Sequence, residues 1–378
     1  MIQPRMSATA ANHVRLVTQR GPGGQAAPAD GVAWSTHLVT ALLSGWLVIG
    51  LFVDGWAHHE LPELETFFTP WHALLYSGLA ATAGWIALTA VRHRGRGRGR
   101  RAIPPGYGLG VLGAATFGVA GLSDLAWHTV FGIERDLAAL LSPPHLALAL
   151  SAGLMLTTPA RALWRTELSR HDQRASFTRA LPVLLSVALT AAIASFFLAY
   201  LSTFQSNVAA RPPTSGTSGE GLHATSEVVG LSSVLVTNAL LVGAVLLLAR
   251  RWTLPFGAAT FVVVTVALLN SLEHSFETGE LLLSALAGGL VTDLALRSRS
   301  LVARRHRLAI VGLLLPAALW SAYFAASALS GDLAWPAELW SGAILLACLS
   351  GLALSALATP SATTEVAVEP EPFRSDSQ

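Results

Sequence analysis

The sequence predicts an all-α protein, a polytopic transmembrane bundle of about ten spans arranged as repeated helical hairpins. Three observations carry this reading. Charged residues make up only 12% of the 378 and apolar residues 52%, with a mean hydropathy of +0.54. Uncharged runs of roughly 20 residues recur, the length a helix needs to cross hydrocarbon. Nearly all basic residues lie in the tails or in alternate connections between those runs. Backbone groups in lipid must bond within their own segment, so the runs are helices rather than open strands.

In chain order, residues 1–32 are polar and read as a disordered cytoplasmic tail with no apolar run near Met1 of the kind a cleaved signal carries. A transmembrane domain is expected over 33–359, with spans near 34–57, 71–91, 107–128, 144–164, 180–202, 224–249, 254–273, 279–296, 308–329 and 336–358. Residues 360–378 are acidic, bear Ser, Thr and Pro, and read as a second disordered tail. All 24 basic residues are arginine, and all but Arg135 and Arg211 lie in the tails or after even-numbered spans. The positive-inside rule then places both termini in the cytoplasm of a multi-pass plasma-membrane protein. Most of the acids, Asp54, Glu60, Asp124 and Glu277 among them, fall on the outer side.

Composition also excludes. The single cysteine, Cys348, lies in an apolar run and can form neither an internal disulfide nor a CxxC site. Three methionines are too few for a Met-rich copper(I) trail. The arginine run over 92–101 sits beside a span, where it sets topology and meets anionic lipid, so no nucleic-acid partner is expected. GLGVLG over 108–113 lies within a span, so its glycines serve close helix contact rather than a dinucleotide. The bilayer is the one partner that composition itself requires.

The chemistry concentrates in residues 34–165. Asp54 and His58 are four apart and share one face of the last turn of a span. His72 follows a short loop and opens the returning span. Asp124, His128 and His145 repeat the arrangement, and each returning histidine follows proline, as PWH at 70–72 and PPH at 143–145. Two ligands from one helix and one from its partner suit a cation. Carboxylate with imidazole accepts copper(II), zinc or iron(II), and three protein ligands leave a position open. Glu134 and Asp136 could support the second group. Trp56, Trp71 and Trp127 fit an aromatic belt at the membrane edge.

The segments DGWAHH with TFFTPWH, and DLAWH with ERDLAALLSPPH, resemble the copper-binding part of the C subunit of particulate methane and ammonia monooxygenases. In that family an Asp-x3-His on one transmembrane helix is completed by a histidine that starts the next, shortly after a proline. A related second set there carries Asn in place of the Asp. The resemblance implies copper at Asp54, His58 and His72 and at Asp124, His128 and His145. It also implies partner membrane subunits, or an extracytoplasmic copper-binding protein, and oxygen-activating oxidoreductase chemistry. This chain departs in having Asp at both leading positions, and the resemblance ends near residue 165.

Weaker candidates lie on the same side: His59 beside His58, His223 with Glu227, and His274 with Glu273 and Glu277. They suit a shared site, a lined access route or a merely hydrated rim. Asp293, near the inner end of its span, suits pairing with an arginine or a proton relay. His13, His93, His171 and His306 read as solvated, and His37 is ambiguous. Two other functions fit these residues: transport or sensing of copper or zinc without catalysis, and a rim that docks a partner without metal.

Overall fold

A computed structural model describes residues 32–61, 68–94, 103–132, 136–164, 176–212, 226–297 and 306–359. The two expected tails therefore lie outside the described residues, save Val32. The fold is all-α, and among the described residues there is no strand. The helices are α1 (Trp34–Glu60), α2 (Pro70–Arg94), α3 (Gly108–Phe131), α4 (Asp136–Leu141), α5 (Pro143–Leu156), α6 (Thr158–Leu163), α7 (Phe177–Phe197), α8 (Ser226–Arg251), α9 (Ala258–Glu273), α10 (Leu282–Arg297), α11 (Arg307–Leu329) and α12 (Ala337–Ala358).

Among the described residues, nine helical segments are long and apolar enough to cross a membrane, with α5 and α6 counted as one and α10 taken with the short turn before it. The remaining apolar helix, α9, is shorter at 16 residues. These ten elements match the ten expected spans. Hydroxyls inside them bond to carbonyls one turn back, as Ser44 does to Thr40 at 2.8 Å and Thr82 to Gly78 at 2.8 Å. Such bonds remove the cost of an unpaired polar group in hydrocarbon.

The expected fourth span, 144–164, is two helices meeting at Thr157. Pro159, with no N–H to give, interrupts the ladder there. Arg161 turns back over the break and donates to the Leu154 carbonyl at 2.6 Å.

The hairpins α1–α2, α3–α5, α9–α10 and α11–α12 pack as antiparallel neighbours. The third pair departs from this scheme: α7 leans chiefly on α9 and α1, and α8 on α12 and α11. The segment between them is responsible. It folds into the protein, burying Phe204, Val208 and Ala209. Ser195 and Ser202 both donate to Oδ1 of Asn270 on α9, at 2.8 and 3.1 Å. Helix α7 is the centre of the bundle, 72% buried over its membrane window, whereas α2, α3 and α12 are 28% buried and peripheral.

Small residues set the closest crossings. A Cβ on Gly50 of α1 would lie 2.8 Å from Leu75 Cα of α2, and one on Gly78 of α2 would lie 2.7 Å from Leu47 Cα. Gly113 of the GLGVLG run meets the Ser151 carbonyl of α5 in the same way, at 2.7 Å from its would-be Cβ. Backbones approach where side chains are missing, as in other lipid-embedded helix pairs.

Asp293 corrects an expectation. It pairs with no arginine among the described residues. Instead its carboxylate, from α10, accepts from the backbone N–H of Ala259 and of Thr260 at 3.0 Å each and from the Thr260 hydroxyl at 2.7 Å. It caps the start of α9, whose own cap residue is Gly257 with no side chain to offer. Asp293→Ala should lower stability by about 1–3 kcal/mol, read as earlier thermal unfolding in detergent.

Candidate metal centre

Helices α1 and α3 end at the same end of the bundle where α2 and α5 begin. All six candidate ligands therefore lie on one rim.

In the first group, Asp54 is buried nearly two turns from the end of α1, and His58 follows it one turn later on the same face. Oδ2 of Asp54 is 3.9 Å from His58 Nε2 and 3.4 Å from His72 Nε2. Thr69 explains how His72 is aimed. It precedes Pro70, the first residue of α2, and its hydroxyl accepts the His72 backbone N–H at 3.1 Å, so it caps the helix. The same hydroxyl lies 3.2 Å from His72 Nδ1. With Nδ1 so engaged, Nε2 is the nitrogen that faces Asp54. Outer partners of this kind commonly orient metal-binding imidazoles.

The second group is tighter. Oδ1 of Asp124 is 3.0 Å from His145 Nε2 and 3.4 Å from His128 Nε2. His128 Nδ1 lies 3.1 Å from the Gly132 carbonyl. A carbonyl can only accept, so Nδ1 carries the proton and a neutral ring turns the lone pair of Nε2 toward Asp124. An imidazole lone pair and a carboxylate oxygen face to face repel unless a proton or a metal ion lies between them. Gly132 can present its carbonyl because its φ is +82°, a backbone state a side chain would strain. His145 is the third residue of α5, behind two prolines.

Within each group the three ligand atoms lie within 4.8 Å of one another. Bonds of about 2.0–2.2 Å to one ion hold ligand atoms roughly 3.3–4.3 Å apart, so small shifts would close either group. Oδ1 of Asp54 and Oδ1 of Asp124 are buried and accept no well-formed hydrogen bond. Among the described residues neither carboxylate pairs with an arginine; imidazoles face both, and Asp124 also accepts from the Tyr76 hydroxyl. Burying a carboxylate this way is costly without a compensating cation. The residues thus fit a divalent metal. Thr69→Val would remove the cap and the Nδ1 partner together. About 1 kcal/mol of stability and roughly 10–100-fold in metal affinity at the first group should be lost, as read by unfolding and metal titration.

The weaker candidates fall elsewhere. His59 is exposed and stands edge-on to His274, ring centroids 4.1 Å apart. Its Nδ1 is 3.5 Å from Glu60, which accepts from Ser275 at 3.3 Å, and Ser275 accepts from Trp56 at 2.9 Å. This cluster fastens the end of α1 to the α9–α10 turn. Burial, and then the neighbouring His59, lower the pKa of His274, against the opposing pull of Glu277 and Glu60. Glu273 points inward to Gln205 at 2.5 Å. Glu227 is the second residue of α8 and accepts from Ser226 at 3.4 Å, joining neither Asp/His group. His223 and Glu134 lie outside the described residues, and Asp136 is the first residue of α4. Trp56 and Trp71 meet edge to face at 5.6 Å, bracing the first hairpin beside its Asp-His-His group. His37 is buried, its Nδ1 3.2 Å from the Tyr107 hydroxyl.

Thr69, Tyr76 and Gly132 were not anticipated. Each had a local signal: a hydroxyl residue before a helix-opening proline, a tyrosine one turn past His72, and a glycine one turn past His128.

The fold and the rim together define a polytopic helical membrane protein with two Asp-His-His groups, each able to hold a metal ion. No protein-family profile, curated protein or solved structure matches the chain.

Proposed function

We propose that this chain is an integral plasma-membrane protein that binds two metal ions, copper before zinc or iron, at its outer face. Asp54, His58 and His72 hold one ion, and Asp124, His128 and His145 the other. Both termini are cytoplasmic, an orientation supported by the arginine distribution. One observation carries the reading: two carboxylate-imidazole groups of like construction converge at the same end of the bundle, each with a buried aspartate whose oxygens face the nitrogens of two histidines.

The likeness to the C subunit of copper membrane monooxygenases favours an oxygen-activating oxidoreductase working with partner subunits or an extracytoplasmic copper-binding protein. Bound copper would supply oxygen activation. The chain's own residues do the rest. Thr69 and the Gly132 carbonyl hold the imidazoles in orientation, and the apolar surfaces of α2 and α3 leave the rim accessible from lipid.

Elemental analysis with spin resonance on the detergent-purified chain tests this. Two copper ions per chain, with nitrogen couplings in the oxidised form, are expected; a chain that stays metal-free in excess copper would refute the proposal. Copper-dependent oxygen consumption separates catalysis from metal handling, which would instead give flux in liposomes.

A further inference from the structure

Tyr76 stands between the two groups. It lies one turn past His72 on α2, so both side chains leave the same face of that helix, with ring centroids 6.3 Å apart. Its ring runs along α3 at Gly121, where a Cβ would come within 3.7 Å of it. Its hydroxyl reaches Asp124, donating to Oδ2 at 3.4 Å. The other oxygen, Oδ1, is the atom that His145 and His128 face, at 3.0 and 3.4 Å. The two oxygens of one buried carboxylate are thus divided, one toward a phenol and one toward the imidazoles.

We infer that Tyr76 is a positioning residue for the second metal group, its hydroxyl holding Oδ2 of Asp124 so that Oδ1 alone is offered to the ion. The inference rests on the metal-binding reading. A carboxylate without that partner can rotate and bind through both oxygens, or turn away. The donor belongs to the helix that carries a ligand of the first group, so the geometry of the second site is set partly by the placement of the first hairpin. Gly121 keeps the tyrosine ring close enough to α3 for the hydroxyl to reach.

The test uses the full chain in detergent, in a His58→Ala background where the second group alone is left to hold copper. Adding Tyr76→Phe keeps the ring and removes only the hydroxyl. Copper affinity of the second group should fall roughly 10–100-fold, and the copper(II) spin-resonance parameters should change as the carboxylate alters its mode of binding. Unchanged affinity and an unchanged spectrum would overturn the assignment of Tyr76. If the unmutated chain takes up no copper, the metal reading itself fails, which is a separate outcome.

Discussion

The His58→Ala/His128→Ala double variant is expected to insert normally and to hold almost no metal, where the unmutated chain holds two ions. Each substitution leaves an aspartate and a single histidine, too few ligands to compete with water. Losing a partner outside the coordination shell already costs roughly 10–100-fold in affinity, and losing a direct ligand costs more. Neither change should harm the fold. Both residues sit in the last turn of a helix, and alanine is the best helix former. His58 is also 36% exposed at its side chain. Metal content by elemental analysis decides the matter, with size-exclusion behaviour as the control for folding. Full occupancy in the double variant would reject both groups as metal ligands.

Gly50→Leu should have the second large effect, and a selective one. At that position a Cβ would press on the backbone of Leu75, 2.8 Å from its Cα and 3.0 Å from its N. Backbone cannot rotate away as a side chain can, so α1 and α2 must separate. Overpacking of this kind costs roughly 1–3 kcal/mol. Asp54 lies one turn beyond Gly50, and its 3.4 Å approach to His72 depends on the same crossing. The first group should open and lose its ion. The second group, on α3 and α5, should keep its own, so metal content falls from two ions to one. Gly84→Leu on α2 is the control, since a Cβ there meets nothing within 4 Å. Loss of neither ion in Gly50→Leu would show that the first site does not rely on this contact.

Much of the fold was legible because membrane insertion imposes local rules. A spanning helix must bond its own backbone, so its length and apolar composition are written in one continuous stretch. That is why ten spans could be placed within a few residues. The six candidate residues were legible for a related reason. Asp54 with His58, and Asp124 with His128, share a helix face by spacing alone, and each returning histidine lies close behind a proline that opens its helix. Less was legible where a residue's partner is far along the chain. Asp293 is expected to meet an arginine, yet it caps a helix whose Ala259 N–H lies 34 residues earlier in the chain. His59 and His274 also meet across a long separation, and they form a brace at the rim rather than part of either metal group.

By itself the sequence determined the class of protein, the approximate positions of its spans and the six residues of the two groups, because each follows from spacing and hydropathy over a few turns. Only the tertiary structure decided which nitrogen of each ring faces its carboxylate, that α1 and α2 touch through Gly50 and Gly78, and that Tyr76 joins one group to the other. Those features depend on how far apart helices stand and how each is rotated about its axis. In lipid both are set by packing between surfaces that no single segment contains.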